Sequence, residues 1–269
     1  MLDPNLIAEE IQRQGFIEIP FPRSKSEIDA TMDTFVDFLS LPLEYKQRFF
    51  FYKDPSRIGS ETGYVRNWKG EGASNNQEYF HYRMNMERDL EKELAGADPK
   101  VLAFFKVAKE LYDVSLEAFQ EVIRSLATKY PGIYETFFPE GKEPYFTTLR
   151  FLKYDFAHVG DFLAKAHYDR SAGTLAIAES APGLQMGRRG EQVTHPVSHK
   201  PGTAMFFPGL HLAPLTSAEE FPPTWHEVIQ KEEAVFDREK GIARWALVFF
   251  VCYEGIENVS KVVTHSRVM

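Results

Sequence analysis

The chain is short of cysteine, of cationic excess and of long apolar runs. One cysteine, Cys252, stands among 269 residues, so no internal disulfide forms and nothing signals an oxidising compartment. Lys and Arg number 31 against 39 Asp and Glu, a formal charge of −8. That acidic balance excludes non-specific nucleic-acid binding, which needs basic side chains against phosphate. The longest apolar run, 246–253, is of strand length and far below the ~20 residues of a bilayer-spanning helix. Met1-Leu2-Asp3-Pro4, followed by Glu9 and Glu10, has neither the basic start nor the apolar stretch of a signal peptide. The expectation is a cytoplasmic protein with no membrane and no nucleic-acid partner. What is abundant is aromatic material, 14% of residues including 23 Phe, which excludes disorder and supplies a large core.

Two halves differ in pattern. Residues 1–132 read as mainly helical. Asp3 caps a helix with Pro4 in its first turn and Gly15 at its end, and 16–19 alternate like a short strand. A second helix is expected over 26–39 and a third near Pro42, followed by a polar loop or lid over 55–76. The strongest helix is 98–130, opened by Asp98-Pro99 and closed by Pro131-Gly132. Phe104, Val107, Leu111, Val114, Ala118 and Val122 form its apolar stripe, read as core packing rather than as a partner surface. Residues 145–255 read as short strands at 146–154, 163–168, 174–178, 192–197, 203–207, 225–229 and 243–253, separated by turns such as Lys200-Pro201-Gly202. The expected fold is mainly β with N-terminal α: one domain, 1–269, with a jelly-roll core flanked by helices including one long one.

Three features in the β half carry chemistry. His167 and Asp169, two apart at a strand end, project to one face and offer an imidazole and a carboxylate to a divalent metal. His226 opens a strand 57 residues later. Two His and one carboxylate make the facial triad of non-haem Fe(II) oxygenases. His211 is the main rival for the third ligand. His195 and His199 flank Pro196, while His81, His158 and His265 lack a partner at ligand spacing, so all five read as surface or hydrogen-bonded residues. The third feature is Arg244, a charge opening an apolar strand. Buried there, it needs a partner, either an internal acid or a bound carboxylate.

Together these residues resemble the Fe(II)- and 2-oxoglutarate-dependent oxygenases of the isopenicillin N synthase-like branch, whose His-x-Asp, distal His and Arg-x-Ser lie on a double-stranded β-helix. Gly183-Leu184-Gln185, the segment Leu149-Arg150-Phe151-Leu152-Lys153-Tyr154, Gly15-Phe16-Ile17, Leu41-Pro42-Leu43-Glu44-Tyr45-Lys46 and Gln77-Glu78-Tyr79-Phe80 extend the resemblance over nearly the whole chain. It implies Fe(II) held by His167, Asp169 and His226. It also implies 2-oxoglutarate as co-substrate, bound by Arg244 and Tyr154, and dioxygen as oxidant. The implied reaction is hydroxylation, desaturation or cyclisation of a small-molecule metabolite. Halogenation is not implied, because Asp169 fills the place a halide would take. Departures are Ala246 where the family has Ser, a longer His226-to-Arg244 interval read as a hairpin over 230–240, and no Asn-x-Tyr-Pro-Pro. These motivate an alternative, a same-fold iron oxidase that does not use 2-oxoglutarate. A non-catalytic jelly-roll binding protein is the alternative of another class. Arg170, Arg188 and Arg189, near the metal strand, suggest an acidic or amino-acid-like substrate.

Overall fold

The computed structural model describes residues 2–54, 60–70, 73, 76–140, 142, 147–189, 191–231, 237 and 239–254. Helices are α1 (Pro4–Gln14), α2 (Lys25–Leu39), α3 (Leu43–Lys46), α4 (Met86–Asp89), α5 (Glu91–Leu94), α6 (Pro99–Ala127) and α7 (Ile133–Phe137). Strands are β1 (Ile17–Pro20), β2 (Phe50–Tyr52), β3 (Glu61–Asn67), β4 (Gln77–Tyr82), β5 (Thr148–Tyr154) and β6 (Phe162–His167). Next come β7 (Gly173–Glu179), β8 (Leu184–Gly187), β9 (Thr194–Pro196), β10 (Thr203–Pro208), β11 (His226–Ile229) and β12 (Arg244–Val251). No described helix is long and apolar enough to cross a membrane.

The strands form two antiparallel sheets that face one another as a jelly roll. One has eight strands in the order β1-β10-β7-β12-β5-β4-β3-β2, the other four in the order β6-β11-β8-β9. Strand alternation sorts the residues of the large sheet onto two faces. On β12, Trp245, Leu247, Phe249 and Val251 join the core beneath the helices. Between them, Ala246 and Val248 turn to a second apolar cluster between the sheets. On β5, Leu149 and Phe151 face the helices, while Leu152 and Tyr154 face inward.

Helix boundaries follow local chemistry. Asp3 accepts from the Asn5 N–H, and Ser24 and Glu27 complete a capping box on α2. Asp98 accepts from the Lys100 N–H ahead of Pro99 at the start of α6. The apolar stripe of α6 is core: Phe104, Leu111, Ala118 and Val122 are buried. Phe38 of α2 lies 5.2 Å from the Phe104 ring and 5.4 Å from Phe80, so an aromatic cluster joins both helices to the sheet.

One expectation fails. The stretch 55–76, read as a loop or lid, contains β3, and its Tyr64 is 2% exposed. Two of its residues, Tyr64 and Arg66, join an ion cluster around the buried Glu78. Tyr64 donates to Glu78 at 2.5 Å, and Lys46 at 3.0 Å, Lys153 at 3.1 Å and Arg66 at 3.1 Å surround the same carboxylate. Residues 55–59, 71–72 and 74–75 of that stretch lie outside the described residues, as do Phe146, His265, and 232–236 and 238 of the expected hairpin. Within the hairpin, Asp237 and Ile242 form an antiparallel bridge.

The Glu78 cluster has a measurable consequence. Burial raises the Glu78 carboxyl, but Tyr64, Lys153 and Lys46 outweigh it and hold it at about 2 against an ordinary 4.5. Because the folded value is the lower one, the stabilisation is complete above about pH 4.5 and disappears as pH falls toward 2. It amounts to about 3 kcal/mol. Thermal melts from pH 7 down to pH ~3 should therefore show a steep loss of Tm, and Glu78→Gln should flatten it while lowering Tm at pH 7.

Candidate metal centre and cavity

His167 is the last residue of β6, and its register partner His226 is the first of β11, so antiparallel pairing sets the two rings side by side. Their centroids are 4.4 Å apart. Asp169 lies just past the end of β6. Its carbonyl accepts from the Leu210 N–H at 2.9 Å, and its carboxylate from the Thr174 hydroxyl at 2.7 Å. Those bonds turn the carboxylate back toward the rings. The Asp169 Oδ1 is 3.5 Å from His167 Nε2 and 3.6 Å from His226 Nε2. One ligand atom from each of the three residues lies within 4.8 Å of the others.

The donor chemistry suits a divalent cation. His167 Nδ1 contacts the Lys165 carbonyl at 2.7 Å, and His226 Nδ1 contacts the Thr224 carbonyl at 3.1 Å. A carbonyl only accepts, so each Nδ1 carries a proton, and in the neutral ring each Nε2 keeps a lone pair aimed at the common point. Backbone carbonyls behind imidazole ligands fix ring orientation in this way. Burial lowers the pKa of His226, which favours its neutral, ligating form. Burial opposes protonation of His167 as well, but its hydrogen bond to Asp169 wins and raises that pKa. For Asp169, burial works against ionisation, yet His226, His167 and Thr174 hold the carboxyl at about 2. The acid is thus an anion at neutral pH.

His226 is held from outside the sheet as well. The Thr224 hydroxyl donates to the Gly15 carbonyl at 2.6 Å, and Gly187 N–H to the Trp225 carbonyl at 2.6 Å. Gly15 has φ +90°, and a Cβ there would lie 2.3 Å from the Gly187 carbonyl oxygen. Only glycine allows both the left-handed turn and this approach.

The rings and Asp169 open into a cavity of about 370 Å³ between the sheets. Tyr154 and Arg244 line it, as do Leu152, Phe207, Val228 and Ala246. Tyr154 and Arg244 are register partners on β5 and β12, with the guanidinium 5.6 Å from the phenol ring centroid. Arg244 is 2% exposed and already has partners. Its Nε donates to the Ala181 carbonyl at 2.9 Å, and its Nη2 is in direct contact with the carboxylate of Glu179. Of the two partners the sequence allows, the structure shows the internal acid, Glu179, and the same guanidinium also lines the cavity.

The remaining sequence candidates lie elsewhere. His211 is buried away from the cluster, with its carbonyl taking the Tyr253 hydroxyl at 3.0 Å. His195 pairs with Glu191, and His158 is exposed. His199 lines the cavity, with Nε2 on the Ala176 carbonyl at 2.8 Å. Arg170, Arg188 and Arg189 are exposed and absent from the cavity lining, and Arg189 pairs with Glu219. Among the charged cavity residues that sequence reasoning missed are Glu179 and Arg150. The signal for Arg150 was present, since it shares strand parity with Leu152 and Tyr154.

No protein-family model and no curated protein matches the sequence. Solved structures do. A full-length Neurospora crassa protein, in complex with alpha-KG, aligns over 93% of this chain and 79% of its own, with TM-score 0.70 at 18% identity. A putative 2OG-Fe(II) oxygenase family protein from Caulobacter crescentus aligns over 93% and 83%, with TM-score 0.66 at 22% identity. The dioxygenase for auxin oxidation 1 of Arabidopsis thaliana, in its 2-oxoglutarate complex, aligns over 94% and 90%, with TM-score 0.66 at 21% identity. At these identities the likeness establishes the fold.

Proposed function

We propose that this chain is a non-haem Fe(II) oxygenase, one domain of helical and jelly-roll parts, that couples 2-oxoglutarate decarboxylation to oxidation of a small cytoplasmic metabolite. The observation that carries the reading is the triad: two imidazole lone pairs and one carboxylate oxygen within 4.8 Å, opening to a cavity lined by Tyr154 and Arg244. Bound Fe(II), with 2-oxoglutarate and dioxygen, supplies the oxidising power that breaks a C–H bond.

The protein supplies the rest. His167, Asp169 and His226 hold the metal, and the Asp169 charge offsets half of the cation's. Thr174 keeps the carboxylate turned inward through its 2.7 Å bond. Tyr154 and Arg244 offer a hydroxyl and a cation for the far carboxylate of 2-oxoglutarate. Leu152, Phe207, Val228 and Ala246 exclude water around the reacting atoms.

The first test is spectroscopic. Anaerobic addition of Fe(II) and 2-oxoglutarate should give a weak visible charge-transfer band, and aerobic turnover should release succinate. No band and no affinity for 2-oxoglutarate would sink the proposal. A second reading, a same-fold oxidase working without 2-oxoglutarate, has one specific observation in its favour. Glu179 already neutralises Arg244, and Ala246 brings no hydroxyl to help a co-substrate displace it. Oxygen consumption with no succinate would favour that reading.

A further inference from the structure

We propose that Arg150 recognises a carboxylate on the primary substrate, so that the cavity takes a small organic acid with an apolar body. This deepens the oxygenase reading and rests on it. Arg150 sits on β5 with Leu152 and Tyr154 on its face, and it lines the same cavity as the triad. Its charge is not neutralised. It forms no ion pair with any described residue, in contrast to Arg244, whose Glu179 partner lies in the same cavity.

The guanidinium is held but left open. Its centre lies 5.0 Å from the Tyr79 ring centroid and 4.7 Å from that of Phe250, so two aromatic rings grip it, and Phe250 also lines the cavity. Its Nε donates to His81 Nε2 at 2.7 Å. The other ring nitrogen, Nδ1, contacts the Glu61 carbonyl at 2.9 Å and must carry the proton. His81 is therefore a neutral acceptor, and burial keeps it so. It orients the fork without cancelling the charge. Neither Nη nitrogen bonds to a described residue, which leaves the bidentate edge for an anion. A half-buried cation kept unpaired beside apolar walls is costly unless something anionic completes it.

The test pairs a panel of small carboxylic acids, butyrate to phenylacetate, each with its primary amide, against metal-free protein by calorimetry. At least one acid should bind the unmodified protein about 10-fold or more tighter than its amide. Arg150→Gln should erase that preference while keeping amide binding, which reports an intact cavity. Arg150→Lys should keep part of it. Arg150→Gln should also retain the Fe(II) and 2-oxoglutarate band. The proposal is overturned if no acid outranks its amide, if the preference survives in Arg150→Gln, or if that variant loses the band because Arg150 serves the co-substrate. A missing band in the unmodified protein would instead count against the oxygenase reading, since the acid and amide comparison needs no metal.

Discussion

Replacement of His226 by alanine is expected to abolish the Fe(II)- and 2-oxoglutarate-dependent band and all succinate release. Losing only a hydrogen-bond partner behind a metal ligand costs about 10–100-fold in affinity. Losing the ligand itself should cost more than that range. The described residues offer no ready substitute. His226 is 7% exposed, and its Nε2 faces Asp169 from within the sheet, so the truncation leaves an apolar gap between Phe207 and the carboxylate. His211→Asn should keep the band, because that ring lies outside the cluster. Metal titration followed by the visible band measures both. A His226→Ala protein that held Fe(II) as tightly as the parent would remove the triad from the account.

Replacing Glu179 by alanine should act in the opposite direction on the co-substrate. The substitution leaves Arg244 buried and uncompensated, at a cost of about 3–5 kcal/mol in the protein alone. An incoming carboxylate then restores the lost pairing. The expected result is a lower Tm without 2-oxoglutarate, a larger Tm rise on adding it than in the parent, and affinity for it at least about 10-fold tighter. In the oxidase reading, 2-oxoglutarate has no place beside Arg244. The variant would then lose stability with no rescue. Melting curves with and without 2-oxoglutarate separate the two outcomes.

Much of this arrangement was legible in the residues because it rests on short-range rules. Asp3-Pro4 with Gly15, and Asp98-Pro99, mark helix ends by local hydrogen bonding, and the structure places helices there. The strands that became β5 and β12 were legible as strand-length runs, but which of their side chains face the cavity was not, since 244–251 is almost wholly apolar. The strand β3 was hidden because Glu61, Thr62, Arg66 and Asn67 read as loop material when their partners are unknown. The partner of Arg66, Glu78, lies opposite it on β4, and Lys46, from a helix, shares that carboxylate, so only strand pairing and tertiary packing make Arg66 at home in a strand. The same blindness concealed Glu179. The reading allowed an acid beside Arg244, but not which one, since the choice depends on β7 pairing with β12. The exposed Arg170, Arg188 and Arg189 drew attention by closeness along the chain, whereas Arg150 reaches the cavity through the register of β4, β5 and β12.

The bond from Thr224 to Gly15 spans 209 positions. The backbone that presents the last imidazole is thus buttressed by the first helix, and the remaining ring and acid come from the middle of the polypeptide. A contact between segments so far apart forms only once both have been made and brought together, so the third donor is set in place by long-range pairing rather than by local structure.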